Sequence, residues 1–174
     1  MTYGVSGIPS EGPTADDVNA DIKALFDTFT NANNDPTTAV WIMPSRVAMA
    51  LSLMKNALGQ REFAGMSLTG GKLNEVPVIA SEYVPTTSAG SMVILANASD
   101  IYLGDEGEVQ VDLSREASVQ MDSAPDDPVS ASTVMVSLWQ HNLVGFRAER
   151  TINWAKRRAS AVAYLTGVNW GAPT

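Results

Sequence analysis

The chain contains no cysteine and a single histidine, His141, among 174 residues. Without cysteine there are no disulfides, no thiolate metal sites and no cysteine nucleophile. A chain of this length buries roughly 70% of its unfolded surface, so one domain or two small lobes need no covalent staple. Long apolar runs are also missing. Stretches such as "AVWIM" fall far short of the about 20 residues that span a bilayer. The N-terminal "MTYGVSGIPSEGP" has neither a basic n-region nor an apolar h-region, so no signal peptide is expected. The reading is a soluble chain with no membrane partner.

Positive charge is scarce. Eleven Lys and Arg face 19 Asp and Glu, for a formal net charge of -8. Five of the bases, Arg147, Arg150, Lys156, Arg157 and Arg158, gather in residues 147–174 with Glu149 as the one acid. Nine acids and one base occupy residues 100–127. Such a surface repels phosphate backbones. A basic tail set against an acidic stretch suits contacts between copies better than a DNA footprint.

What is present reads as helices first and strands afterwards. Residues 1–13 are an extended lead-in. Thr14 is placed to cap a helix over residues 15–31, with Asp16 and Asp17 in the first turn and Val18, Ile22, Leu25, Phe26 and Phe29 on one face. "AVWIM" is a short buried strand. Ser45 then caps a second helix, expected over 46–57, with Val47, Leu51, Met54 and Leu58 as its stripe and Gly59 as its stop. Beyond it, "VPVIASEYVP", "SMVILA" and "SAVAYLTGV" are strand-like, and "IYLGDEGEVQVDLS" reads as two strands joined by an acidic turn. Residues 134–148 keep one parity and predict a single long strand with a bulge near His141 and Asn142. The class is α+β, with helices covering a mixed sheet.

Chemistry-bearing patterns are weak. His141 lacks a G-x-S-x-G elbow and reads as a surface or interface side chain. "GMSLTGGKL" has five residues between Gly65 and Gly71-Lys72 and then Leu73, where a phosphate loop needs four residues and then Ser or Thr. It reads as a flexible turn. Asp105, Glu106, Glu108 and Asp112 offer oxygen ligands for Ca²⁺, but EF-hand spacing is missing. The sequon at Asn97 has no secretion signal to give it meaning. Nothing calls for a catalytic residue, a cofactor or a metal, so no enzyme is expected.

One resemblance spans most of the chain. "SLWQHNLVGFRAERTINWAKRRASAVAYLTGVNW" resembles the C-terminal end of tailed-phage major capsid proteins with the Hong Kong 97-like fold. The family pattern Q-N-x-V-x-x-R-x-E-R is met by Gln140, Asn142, Val144, Arg147, Glu149 and Arg150, with His141 inserted. "AVWIMPSRVAMALSLMKNALGQREF" and "GGKLNEVPVIASEYVP" are similar to two upstream segments, in family order. The resemblance implies an axial domain over 14–107 and 158–174 and peripheral-domain strands over 108–157. The N-terminal arm, extended loop and spine helix of full members have no counterpart, so a C-terminal fragment is expected.

It further implies a self-assembling shell subunit of a phage or prophage capsid. Its partners would be other copies, with scaffold, portal or maturation protease as further ones. DNA would be enclosed without sequence-specific binding. The virion, assembled in the bacterial host cytoplasm, is the expected location. Trp139, Phe146 and Trp154 are then expected as sheet or neighbour-contact anchors, so that losing Trp139 costs a few kcal/mol. Arg147, Glu149 and Arg150 would pair across subunits, or simply form an exposed charged strand face. Asn142 lies where some family shells cross-link an Asn to a Lys. The rival readings are an encapsulin-type compartment shell, a hydrolase using His141, and a nucleic-acid binder.

Overall fold

The computed structural model describes residues 2–171. The chain divides into two compact units, one built up to Tyr102 and again from Trp154 onward, the other from Leu103–Asn153. In chain order the elements begin with β1 (Ile8–Pro9), α1 (Ala15–Asn31), β2 (Ala39–Met43) and α2 (Ser45–Leu53). Then come β3 (Met66–Ser67), β4 (Gly70–Leu73), β5 (Val76–Ala80), β6 (Thr86–Thr87) and β7 (Gly90–Asn97). Short strands follow: β8 (Ile101–Asp105), β9 (Gln110–Ser114), β10 (Ser118–Val119), β11 (Val136–Ser137), β12 (Gly145–Glu149) and β13 (Ile152–Lys156). The last is β14 (Val162–Val168).

The first unit carries an eight-stranded mixed sheet in the order β1-β14-β7-β2-β5-β4-β3, with β6 also on β7. The pairs β1–β14 and β2–β5 are parallel and the others antiparallel. Helix α1 starts where expected. The Thr14 hydroxyl accepts from the Asp17 amide at 3.3 Å, and the Asp17 carboxylate accepts from the Thr14 amide at 3.0 Å. The Thr14 hydroxyl, donating to the Asp17 carboxylate at 2.6 Å, and then the Thr14 amide hold the Asp17 carboxyl below its ordinary value. Val18, Ile22, Leu25 and Phe29 are buried, as the stripe predicts. Phe26 meets the fully buried Trp41 edge-on at 5.7 Å, and the Trp41 indole donates to the Leu73 carbonyl at 3.2 Å.

Four expectations need correction. Helix α2 spans Ser45–Leu53, with Pro44 rather than Ser45 at the N-cap. It stops early because Met54 turns extended and the Asn56 side chain accepts from the amides of Leu58 and Gln60, drawing the backbone into a turn. Leu58 is left exposed. "GMSLTGGKL" is not a flexible turn but the β3–β4 hairpin, in which Met66 opposes Gly71. Gly71 has φ +129°, and a Cβ there would lie 2.2 Å from the Gly65 carbonyl oxygen, so glycine is required.

The strands of "IYLGDEGEVQVDLS" exist but do not pair with each other. Strand β8 pairs with β13 and β9 with β12. The acidic turn is a local bend in which the Gly107 amide donates to Asp105 at 3.0 Å. Nor do residues 134–148 form one strand. The chain leaves β11 through a helical turn, with the Leu143 amide bonded to the Leu138 carbonyl at 2.9 Å and Asn142 at φ 52°. Asparagine tolerates this left-handed geometry, and the turn offsets the two halves of the stretch.

Candidate subunit-contact surface

The second unit contains a two-stranded ribbon. Strands β9 and β12 are antiparallel, with Leu113 opposite Phe146, Asp112 opposite Arg147, Val111 opposite Ala148 and Gln110 opposite Glu149. Opposed residues share a face and successive ones alternate. One face is therefore apolar, with Val111, Leu113, Phe146 and Ala148. The other is polar, with Gln110, Asp112, Arg147 and Glu149.

A two-stranded ribbon has no second layer to cover such a face. Phe146 is 76% exposed and Leu113 65%. Among the described residues of this unit only Leu138 is a buried apolar residue, at 4% exposure. A recess of about 550 Å³ opens between Leu113, Ser114, Arg115, Val144 and Phe146. A second, of about 310 Å³, lies against Leu138, Ala117 and Val119.

The candidate residues fall in different places. Trp139 stands on the turn after β11 and is 72% exposed. Asn142 occupies the same turn. Trp154, on β13, is 55% exposed. Trp139, Phe146 and Trp154 are thus largely exposed rather than packed as sheet anchors within this chain. The charged trio pairs within the chain rather than lying free for a neighbour. Arg147 is ion-paired with Glu149, and Arg150 with Asp105. The Arg150 guanidinium, then the Gly107 amide, hold the Asp105 carboxyl below its ordinary value, and Asp105 raises that of Arg150.

The basic tail is likewise engaged at home. Arg158 and Arg157 lie 3.3 and 3.8 Å from the buried Asp100 carboxylate, and the Lys156 ammonium donates to the Tyr3 carbonyl at 2.7 Å. Asp100 also accepts from Asn97, whose amide reaches Asn34 at 3.2 Å. A second buried carboxylate, Asp21, accepts from Ser10, the Glu11 amide and Trp170. Sequence reading passed over both acids. A signal existed for Asp21, which lies three residues after Val18 and four before Leu25, on the apolar stripe.

The exposed ring of His141 has Nδ1 3.0 Å from the Ser137 carbonyl, and no carboxylate is bonded to it among the described residues. Among those residues no group of three or more His, Asp or Glu is placed to hold a metal, and Asp105 is bound to Arg150 instead. No helix of the described residues is long and apolar enough to cross a membrane.

The fold is shared with solved phage particles. A chain of Mycobacterium phage Che8 superposes with TM-score 0.57 at 15% identity, covering 94% of this chain and 52% of that one. A chain of Mycobacterium phage Ogopogo gives 0.59 at 14%, covering 85% and 48%. The capsid of an empty GTA particle gives 0.53 at 16%, covering 84% and 41%. The architecture is the α+β fold of Hong Kong 97-like capsid proteins. In sequence, residues 2–167 match the phage capsid family, and the chain belongs to it. It is 71% identical over 169 residues to the capsid polyprotein of Pseudomonas phage PAJU2, covering 97% of this chain and 25% of that protein. The chain thus spans a quarter of that relative and about half of the first solved chain.

Proposed function

We propose that this chain is a structural subunit of a phage capsid shell, acting by self-assembly around DNA and not by catalysis. The observation that carries the reading is the family match over residues 2–167, joined to 71% identity with a capsid polyprotein. It favours a phage shell over an encapsulin-type compartment. In this reading the sheet-bearing unit is the axial-like domain near the capsomer centre, and Leu103–Asn153 is peripheral-like. The boundaries between the units, at 102/103 and 153/154, support that division. Other copies are the main partners; scaffold, portal or protease are further ones, the virion is the location, and no sequence-specific DNA contact is needed.

Within the shell, the ribbon's apolar face and the aromatics Trp139 and Trp154 are contact surface. A fully covered Val, Leu or Phe contributes roughly 1.5–3 kcal/mol, and an isolated two-stranded ribbon is marginal without cover. Many such modest contacts add up through multivalency. Quantitative mass spectrometry of purified virions tests the function. Peptides from this sequence should appear at the abundance of the main shell protein. Their presence at only a few copies per particle, or their absence, would refute the proposal.

A further inference from the structure

We infer that residues 162–171 are a closing strap: the sheet-bearing unit stays unfolded until they dock, so an unfinished chain presents no folded subunit. The inference goes beyond the shell reading and does not depend on it. Strand β14 is not an addition at the sheet's edge. It lies between β1 and β7, with Leu165 opposite Val93, Ala163 opposite Leu95 and Val162 opposite Ala96. Val162, Ala163, Leu165 and Val168 are all buried. Without β14, one edge of β7 has no partner from Ser91 to Ala96, and β1 has no strand to join. An unpaired apolar edge is an aggregation hazard rather than a stable sheet margin.

The residues after β14 close the helical side. Trp170 is 4% exposed within the main core, and its indole donates to the Asp21 carboxylate of α1 at 2.9 Å. The Gly171 amide donates to the Pro13 carbonyl at 3.1 Å. Gly171 also lies so close to α2 that a Cβ on it would come 2.9 Å from that of Ala50. The Ser10 amide donates to the Thr166 carbonyl at 3.0 Å, and the Tyr164 hydroxyl to the Val5 carbonyl at 3.2 Å. One short segment thus holds the lead-in, both helices and the sheet. In chain order it comes last, with residues 103–153 intervening between β7 and β14. Domains otherwise fold from the N-terminal side as they are synthesised. Here the contacts that repay closure of the longest loop are the last to become available.

Two measurements on the full chain test this. In the first, the chain is stalled on ribosomes behind C-terminal linkers of increasing length, and protease resistance of the Trp41-containing core is followed. Resistance should appear only with linkers long enough to bring residues 162–171 out of the ribosome. Resistance while they are still enclosed would overturn the inference. In the second, native-state hydrogen exchange is measured on the released chain in rising urea. Amides of Val162–Val168, Trp41–Met43 and Val93–Leu95 should merge into one opening with one urea dependence. Trp170→Ala should speed all three groups by a common factor of about a hundred or more, and Trp170→Phe by a smaller common factor. A strap of purely local importance would open β14 alone, or speed only residues 162–171, while Ile42 and Leu95 stay protected; either result would sink the proposal. Neither outcome bears on the virion measurement, which tests the shell reading separately.

Discussion

The indole of Trp170 donates to the buried carboxylate of Asp21 at 2.9 Å, across 149 residues of chain. The same carboxylate takes the Ser10 hydroxyl at 2.5 Å and the Glu11 amide at 2.9 Å. One side chain of α1 therefore ties the lead-in and the end of the chain to the sheet-bearing unit. Asp21→Ala leaves those donors without their acceptor inside the protein. It should destabilise the unit by about 2–4 kcal/mol, with Asp21→Asn less damaging because one oxygen remains. Urea unfolding of the three proteins checks it, and equal midpoints would remove Asp21 from the account.

Trp139 and Trp41 should behave oppositely. Exposed Trp139 loses little on truncation, so Trp139→Ala should change stability by less than about 0.5 kcal/mol. Buried Trp41→Ala should cost about 3–5 kcal/mol. This reverses the anchor role that the sequence suggests for Trp139. A large loss of thermal stability in Trp139→Ala would restore that role.

Gly71→Ala tests the β3–β4 hairpin. The residue combines a left-handed φ with backbone 2.2 Å from where the new Cβ would lie. A cost of about 1–3 kcal/mol is expected, with hydrogen exchange speeding up first at Met66–Leu73. A neutral substitution would show that this segment is a flexible turn after all.

The Asp105–Arg150 pair predicts an acid response. Because the folded-state value of Asp105 lies below its ordinary one, the pair's contribution is complete above that ordinary value and disappears as pH falls through the folded one. A carboxyl-carbon NMR titration should place Asp105 below the ordinary Asp value of 3.8, and Arg150→Gln should move it back up. Titration at the ordinary value in both proteins would mean that the ion pair does not persist in solution. Being solvent-exposed, the shift should shrink in high salt.

Legibility followed the range of the interactions. The start of α1, its buried stripe, the strand "AVWIM" and the α+β class were readable because capping and periodicity act over a few residues. Asp21 was passed over because its three partners lie 10, 11 and 149 residues away. Strands β8 and β9 were recognised, but their partners were not, since pairing with β13 and β12 is a contest between distant segments that no local pattern encodes. The contact surface was legible as a cluster of aromatics, while its chemistry was not. Composition says that Phe146 is apolar and Arg147 charged; only the register puts Phe146 on one face with Leu113 and Arg147 on the other with Asp112.

By itself the sequence determined what this chain cannot contain, where its helices begin, which strands are apolar, and a family pattern strong enough to name. Tertiary structure alone decided which charges are already spent within the chain and which apolar groups remain uncovered. The reason is physical. Local sequence fixes backbone preference over a few residues, whereas burial and ion pairing depend on which distant strand arrives alongside, and among the described residues no second layer covers the ribbon.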